Sequence, residues 1–297
     1  MTRTNGDIAS LGYFAGLAEN LFFPNTTATE IPFPTNLFPS YSLVGTIVGD
    51  GTKLGDQPSV FFGWVLKEAG TNIIYTVIRG TIRAVEWIQD ATFNMVSSPT
   101  GHGRVEDGFN YVYQSLKVNG QSLVDFVSSQ NAPSYGVIGH SLGSAVATYF
   151  AVDLAAKVNP KLVELFALAS PMTGDQTYVN YAASLANLSR YVVNNYTDLV
   201  PKLPPSDAGY VALPDIEIVN PAELATLNPP RYMPNDPLAN HMVENYVGML
   251  DITVFDNLRL GAALNPEIIS TTKPSTSLLT TVVSSVTNAL NSLFSWL

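Results

Sequence analysis

Apolar and polar positions along the chain fall into segments with different periods. From Met1 to Phe23 an apolar stretch is interrupted by Asp7 and Glu19, which predicts an amphipathic helix. Asn25–Ser40 is rich in Pro, Thr and Asn and reads as an irregular connection. Ser59–Lys67 and Asn72–Ile78 are β-branched and aromatic runs separated by Glu68-Ala69-Gly70-Thr71, the pattern of an antiparallel hairpin. Between Phe109 and Ser128 the apolar residues Tyr111, Val112, Leu116, Leu123, Val124 and Val127 fall at helical spacing but are interrupted by Asn119-Gly120. That predicts one kinked helix or two short ones.

Tyr135–Ile138 is a short strand that runs into Gly139-His140-Ser141-Leu142-Gly143. The following stretch, Ser144–Val158, is apolar around most of its circumference, as a helix buried against a sheet would be. Leu162–Leu168 reads as a strand, Tyr178–Leu188 as a helix and Arg190–Asn194 as a strand. This alternation predicts the α/β class, with a mainly parallel sheet covered by helices. Pro274–Leu297 has no charged side chain and carries Leu279, Val282, Val283, Val286, Leu290, Leu293, Phe294 and Leu297 at helical spacing. It reads as an amphipathic closing helix packed on the domain, its rival being an interfacial or partner-binding helix.

Composition narrows the chemistry. The chain has 297 residues, 46% apolar and 13% charged, enough for a large core, and is read as one α/β unit with an N-terminal helix and arm over 1–40. With 14 Lys and Arg against 24 Asp and Glu the net charge is −10, and there is no basic patch, so nucleic acid is not an expected partner. The absence of cysteine removes disulfides, thiolate nucleophiles and Cys-ligated metals, and three histidines argue against a multi-His metal site. The N-terminus lacks the basic start and unbroken apolar core of a signal peptide. The reading is therefore a cytosolic chain, one exported by another route, or one shown after loss of a leader. Outside the C-terminal segment every long apolar run is broken by Gly, Pro or charge, so no membrane span is expected there.

Gly139-His140-Ser141-Leu142-Gly143 matches G-x-S-x-G between a strand and a small-residue helix. A sharp strand-to-helix turn projects the serine, and the helix N-terminus brings unpaired N–H groups beside it, that of Leu142 among them. A serine hydroxyl needs a base, usually an imidazole oriented by a carboxylate, and in this setting the chain order is Ser, acid, His. His241 is the one histidine after Ser141, His102 precedes it, and His140 would point away from its neighbour. Asp198 follows a strand and precedes the ordered Leu199–Pro205 segment; Asp175, Asp207, Asp215, Asp236 and Glu217 are its competitors. Asn72–Ile78 ends in Arg79-Gly80-Thr81, where Thr81 offers a second N–H to an oxyanion.

Arg79-Gly80-Thr81, Trp87-Ile88-Gln89-Asp90, Asp107-Gly108-Phe109, the Ser141 pentapeptide with Ser144-Ala145, Ser170-Pro171 with Gly174-Asp175, and Asp198–Pro205 occur in that order. Together this signature resembles the class 3, fungal-type triacylglycerol lipases. The resemblance implies an α/β-hydrolase with Ser141, Asp198 and His241 as catalytic triad, Thr81 and Leu142 as oxyanion hole, and no cofactor. It also implies a short lid over Ile82–Ile88, in which Ile82, Val85 and Ile88 share a face with Trp87 at its edge. The expected reaction is hydrolysis of acylglycerol esters through an acyl-enzyme, with the lipid substrate met at an oil–water interface. Alternatives are a soluble short-chain, phospholipid or aromatic-acid esterase, and a non-catalytic lipid- or partner-binding module. The chain departs from the family's pattern at Glu106, where a histidine is common, at Ala169, where a glycine is, and in lacking cysteine.

Overall fold

In the computed structural model the described residues are 3–23, 25–52, 58–81, 93–219 and 240–256. The expected lid positions Ile82, Val85, Trp87 and Ile88, Asp236, the proline-rich stretch before Asn240 and the expected helix over 274–297 lie outside them.

Helix α1 (Asn5–Phe22) starts at a capping box in which Thr4 and Asp7 satisfy each other's backbone N–H groups. It is buried around more of its circumference than an amphipathic surface helix, with Ile8, Leu11, Phe14, Leu17, Glu19 and Phe22 all buried. The reason is its position between the sheet and helix α6 (Val243–Leu250).

The strands are β1 (Tyr41–Gly49), β2 (Val60–Glu68), β3 (Ile74–Ile78), β4 (Met95–Ser97), β5 (Arg104–Glu106), β6 (Lys117–Val118), β7 (Gln121–Ser122), β8 (Tyr135–His140), β9 (Val163–Leu168), β10 (Leu188–Asn195) and β11 (Ile216–Val219). Apart from the small β4–β5 pair they form one sheet in the order β11-β10-β9-β8-β3-β2-β1-β6-β7. Strands β3, β8, β9, β10 and β11 run parallel, whereas β2, β1, β6 and β7 extend the sheet antiparallel, with β2–β3 as the expected hairpin pairing. The α/β-hydrolase expectation thus meets a mixed sheet whose parallel half carries the helical crossovers.

Helices α2 (Asp107–Ser115) and α3 (Leu123–Ser129) precede β8, α4 (Leu142–Val158) joins β8 to β9, and α5 (Gln176–Ser184) joins β9 to β10. Asn119-Gly120 separates α2 from α3 because it is the two-residue turn of the β6–β7 hairpin. Both residues hold positive φ, 51° and 80°.

Every residue of β8 and β9 is buried, as expected for parallel strands covered on both faces. Glu164, Phe166 and Leu168 of β9 share a face by the two-residue period. There Arg3, just ahead of α1, makes two hydrogen bonds to the Glu164 carboxylate (2.9 and 2.5 Å) and fixes the start of α1 to the sheet. Gly63 in β2 has φ +151°, and a Cβ there would sit 1.8 Å from the Val77 carbonyl oxygen of β3. Gly63→Ala is therefore expected to destabilise the fold by at least ~3 kcal/mol, read as a lowered urea midpoint.

Candidate active site

The carboxyl ends of parallel strands gather the loops of an α/β sheet into one crevice. Ser141 lies there, between β8 and α4, with φ 58° and ψ −132°, a strained conformation for a residue with a side chain. The flanking glycines are required by close approach. A Cβ at Gly139 would lie 2.3 Å from the Gly143 carbonyl oxygen, and one at Gly143 would lie 2.4 Å from that of Arg79. The bend is pinned by Ser141 N donating to the Leu168 carbonyl (3.0 Å) and by Ser144 Oγ donating to the Ser141 carbonyl (2.5 Å).

His241, just ahead of α6, brings its Nε2 to 2.7 Å from Ser141 Oγ and its Nδ1 to 2.8 Å from Asp198 Oδ2. The carboxylate accepts from Nδ1–H, which leaves Nε2 to accept from the serine hydroxyl. Asp198 is buried. Its Oδ1 accepts from Val200 N (2.9 Å) and its Oδ2 from the Tyr246 hydroxyl (2.7 Å). Burial first, and then the Asp198 charge, push the Tyr246 phenol well above its usual range, so it stays a donor. Tyr246 in turn accepts from Asn195 N (2.9 Å), and Asn195 Nδ2 donates to the carbonyl of Asn240 (2.9 Å), the residue before His241. The end of β10 thereby holds both Asp198 and His241. The other described carboxylates serve elsewhere: Asp175 caps α5, Asp215 pairs with Arg190, Asp207 lies in an exposed turn and Glu217 is exposed on β11.

Under the serine lies a second polar chain. The His140 ring points away from Ser141, donating from Nδ1 to Glu19 Oε1 (2.9 Å) and from Nε2 to the His241 carbonyl (2.8 Å). The same Glu19 oxygen accepts from Gly80 N (2.8 Å). Burial opposes the His140 charge, but the Glu19 charge and hydrogen bond, the His241 carbonyl and Asp198 outweigh it, and the His140 pKa is raised. A group whose folded pKa is raised adds stability that is fully present below its unfolded pKa, ~6.5, and is lost as pH rises through the folded value. Hence the stability gap between the parent and His140→Gln is expected to be widest below pH ~6.5 and to narrow as pH rises above it, measured by urea unfolding.

The expected oxyanion donors flank this arrangement. Leu142 is the first residue of α4, whose first-turn N–H groups have no intrahelical acceptor. Thr81 is buried and follows Gly80, where a Cβ would meet Glu19 Oε1 at 2.6 Å and Ser141 Cβ at 3.2 Å. The buried Arg79 guanidinium donates to the Phe61 and Gly80 carbonyls (2.6 and 2.8 Å) and stacks over Phe22, 3.7 Å from its ring centre. Two of the three departures from the family pattern lie at described positions. Glu106 is buried and caps α2 by accepting from Phe109 N (2.7 Å), and Ala169, after β9, holds φ +51°, a conformation that glycine adopts without strain.

Glu19, Asn195 and Tyr246 escaped the sequence reading. Only Glu19 left a signal there: a carboxylate inside an apolar helical stretch needs a buried partner. His102 lies on the surface, stacked on Tyr181. Among the described residues no three His, Asp or Glu side chains converge as metal ligands would, and no helix is long and apolar enough to cross a membrane.

Residues 75–208 match the family described as lipase (class 3). A secreted mono- and diacylglycerol lipase A of Penicillium cyclopium is 32% identical over 163 residues, covering 54% of this chain and 52% of that protein. A lipase of Rhizomucor miehei is 36% identical over 146 residues, covering 46% and 39%. The chain thus spans about half the length, or less, of these curated relatives. The solved structure of the Rhizomucor miehei triacylglyceride lipase superposes with a TM-score of 0.56 at 25% identity, covering 77% of this chain and 84% of that one. The shared architecture is the α/β-hydrolase fold.

Proposed function

We propose, from the premise that residues 75–208 belong to the class 3 lipase family, that the chain is an acylglycerol lipase working through a Ser141 acyl-enzyme. His241 Nε2 takes the Ser141 proton as Oγ attacks the ester carbonyl carbon. The N–H groups of Thr81 and Leu142 hold the oxygen that becomes negative, each donor contributing ~2.7–4 kcal/mol to the barrier reduction. When the tetrahedral intermediate collapses, the C–O bond to the alcohol breaks and His241 returns the proton to the departing oxygen. Water then enters, loses a proton to His241 and releases the fatty acid by the same steps in reverse. Asp198 keeps the proton on Nδ1 and stabilises the imidazolium throughout.

The observation that carries this reading is the chain of short hydrogen bonds Ser141–His241–Asp198 on a strained strand-to-helix bend. The choice of acylglycerols, and of an oil–water interface, is supported by the relatives' names and by the apolar side chains exposed around the acid and base. Tyr196 is 69% exposed two residues before Asp198, and Met242, directly after His241, is 38% exposed.

A chain-length series of p-nitrophenyl esters, together with tributyrin and triolein emulsions, tests the reading. Hydrolysis that favours longer acyl chains and rises once substrate forms a separate phase is the expected result. A maximum at acetate with no interfacial gain would make the protein a soluble esterase. No turnover of any ester would leave a binding module.

A further inference from the structure

The helix farthest from the site in sequence supplies a second buried carboxylate beside it. Glu19 lies 61 residues before Gly80 and 121 before His140, is 7% exposed, and meets both through one oxygen at 2.8 and 2.9 Å. His140, 3% exposed, passes the linkage to the His241 carbonyl at 2.8 Å. A carbonyl oxygen only accepts, so His140 Nε2 donates to it, and Nδ1 donates to the carboxylate. When the ring carries both protons, the two side chains form a buried ion pair. Helix α1 is itself held rigidly: Arg3 is fixed to Glu164 at one end, and Asn20 donates to Glu244 of α6 (2.9 Å) beside Glu19. One carboxylate on a fixed post therefore touches the loop of one expected oxyanion donor, the residue before the nucleophile and, through that residue, the backbone of the base.

We propose that Glu19 is a positioning residue for ester hydrolysis, its carboxylate setting the Gly80–Thr81 loop and the His241 backbone in register with Ser141. The inference rests on the lipase reading above and concerns geometry rather than charge. Gly80 has no side chain to anchor it, so its peptide groups hold it, the carbonyl on the Arg79 guanidinium and the N–H on Glu19. With Glu19 Oε1 withdrawn, the loop relaxes and the Thr81 N–H leaves the point where the oxyanion forms. A displacement of ~1 Å at such a point costs on the order of 100-fold in rate.

Two variants of the full chain separate position from charge. Glu19→Asp keeps the carboxylate but draws it back by one methylene, whereas Glu19→Gln keeps an acceptor oxygen in place and loses the charge. With p-nitrophenyl butyrate, Glu19→Asp is expected to lose ~10- to 100-fold in kcat at unchanged KM, and affinity for an alkylboronic acid that forms a tetrahedral serine adduct should fall in proportion. Glu19→Gln should stay within ~5-fold on both readouts, because the acceptor oxygen stays in place and only the charge share of the hydrogen bond is lost. Glu19→Asp retaining the parental kcat and boronate affinity, or Glu19→Gln falling as far as Glu19→Asp, would overturn the proposal. A parent that hydrolyses no ester would refute the lipase reading instead, so the two failures are distinguishable.

Discussion

Replacing Ser141 by alanine is expected to cost ~10⁴–10⁶ in kcat on a tributyrin emulsion while leaving the protein folded. The hydroxyl is the only group removed. The fold contacts at this position are made by the backbone, through Ser141 N to the Leu168 carbonyl and Ser144 to the Ser141 carbonyl. Melting temperature and urea midpoint should therefore stay close to the parent's. His241→Ala should fall into the same range, because serine and histidine act as one unit and losing either removes the proton transfer. PH-stat titration of released acid measures both variants directly. An alanine variant retaining more than ~1% of parental kcat would mean that another group performs the chemistry.

The second large effect is at Asp198. Asparagine fits the same buried site, so structure should survive, but an amide facing His241 can present its NH2 to Nδ1. The imidazole then carries its proton on Nε2, toward Ser141 Oγ, and has no lone pair with which to accept the serine proton. A loss of ~10⁴ in kcat is expected. The competitors provide the contrast. Asp175 caps α5 and Glu217 lies exposed on β11, so Asp175→Asn and Glu217→Gln should leave kcat within about twofold of the parent once folding is matched. Equal losses at Asp198 and Asp175 would count against the assignment of the acid.

Sequence carried the central strands and helices because burial on both faces writes a continuous apolar run. Hence β2, β3, β8, α4 and β9 are legible to within a residue or two. Strand β1 is not. Its Tyr41–Gly49 stretch contains Gly45 and Gly49 and is exposed at Ser42 and Leu43, so neither alternation nor a solid apolar run marks it. Strand β11 is four residues long and largely exposed, and it too lacks a pattern. Helix α1 misled in the other direction: two acids in an apolar stretch suggested a solvated face, yet Glu19 is turned inward and satisfied by Gly80 and His140.

Within the candidate site, Ser141 is read from its local turn, His241 from chain order and elimination, and Asp198 from its place at a strand end; the structure brings these three side chains together. Asn195 and Tyr246 were not, because nothing local distinguishes an asparagine at a strand end or a tyrosine on a helix from their ordinary uses. Their roles arise only when β10 and α6 meet.

The most direct test of the central claim, that Ser141 is a nucleophile activated by His241, is covalent labelling with a fluorophosphonate followed by mass mapping of the digested chain. A single adduct on the peptide bearing Ser141, absent from His241→Ala and from denatured protein, is the expected result. Folded protein that takes up no label, or that takes it up with His241 removed or on a different residue, would contradict it.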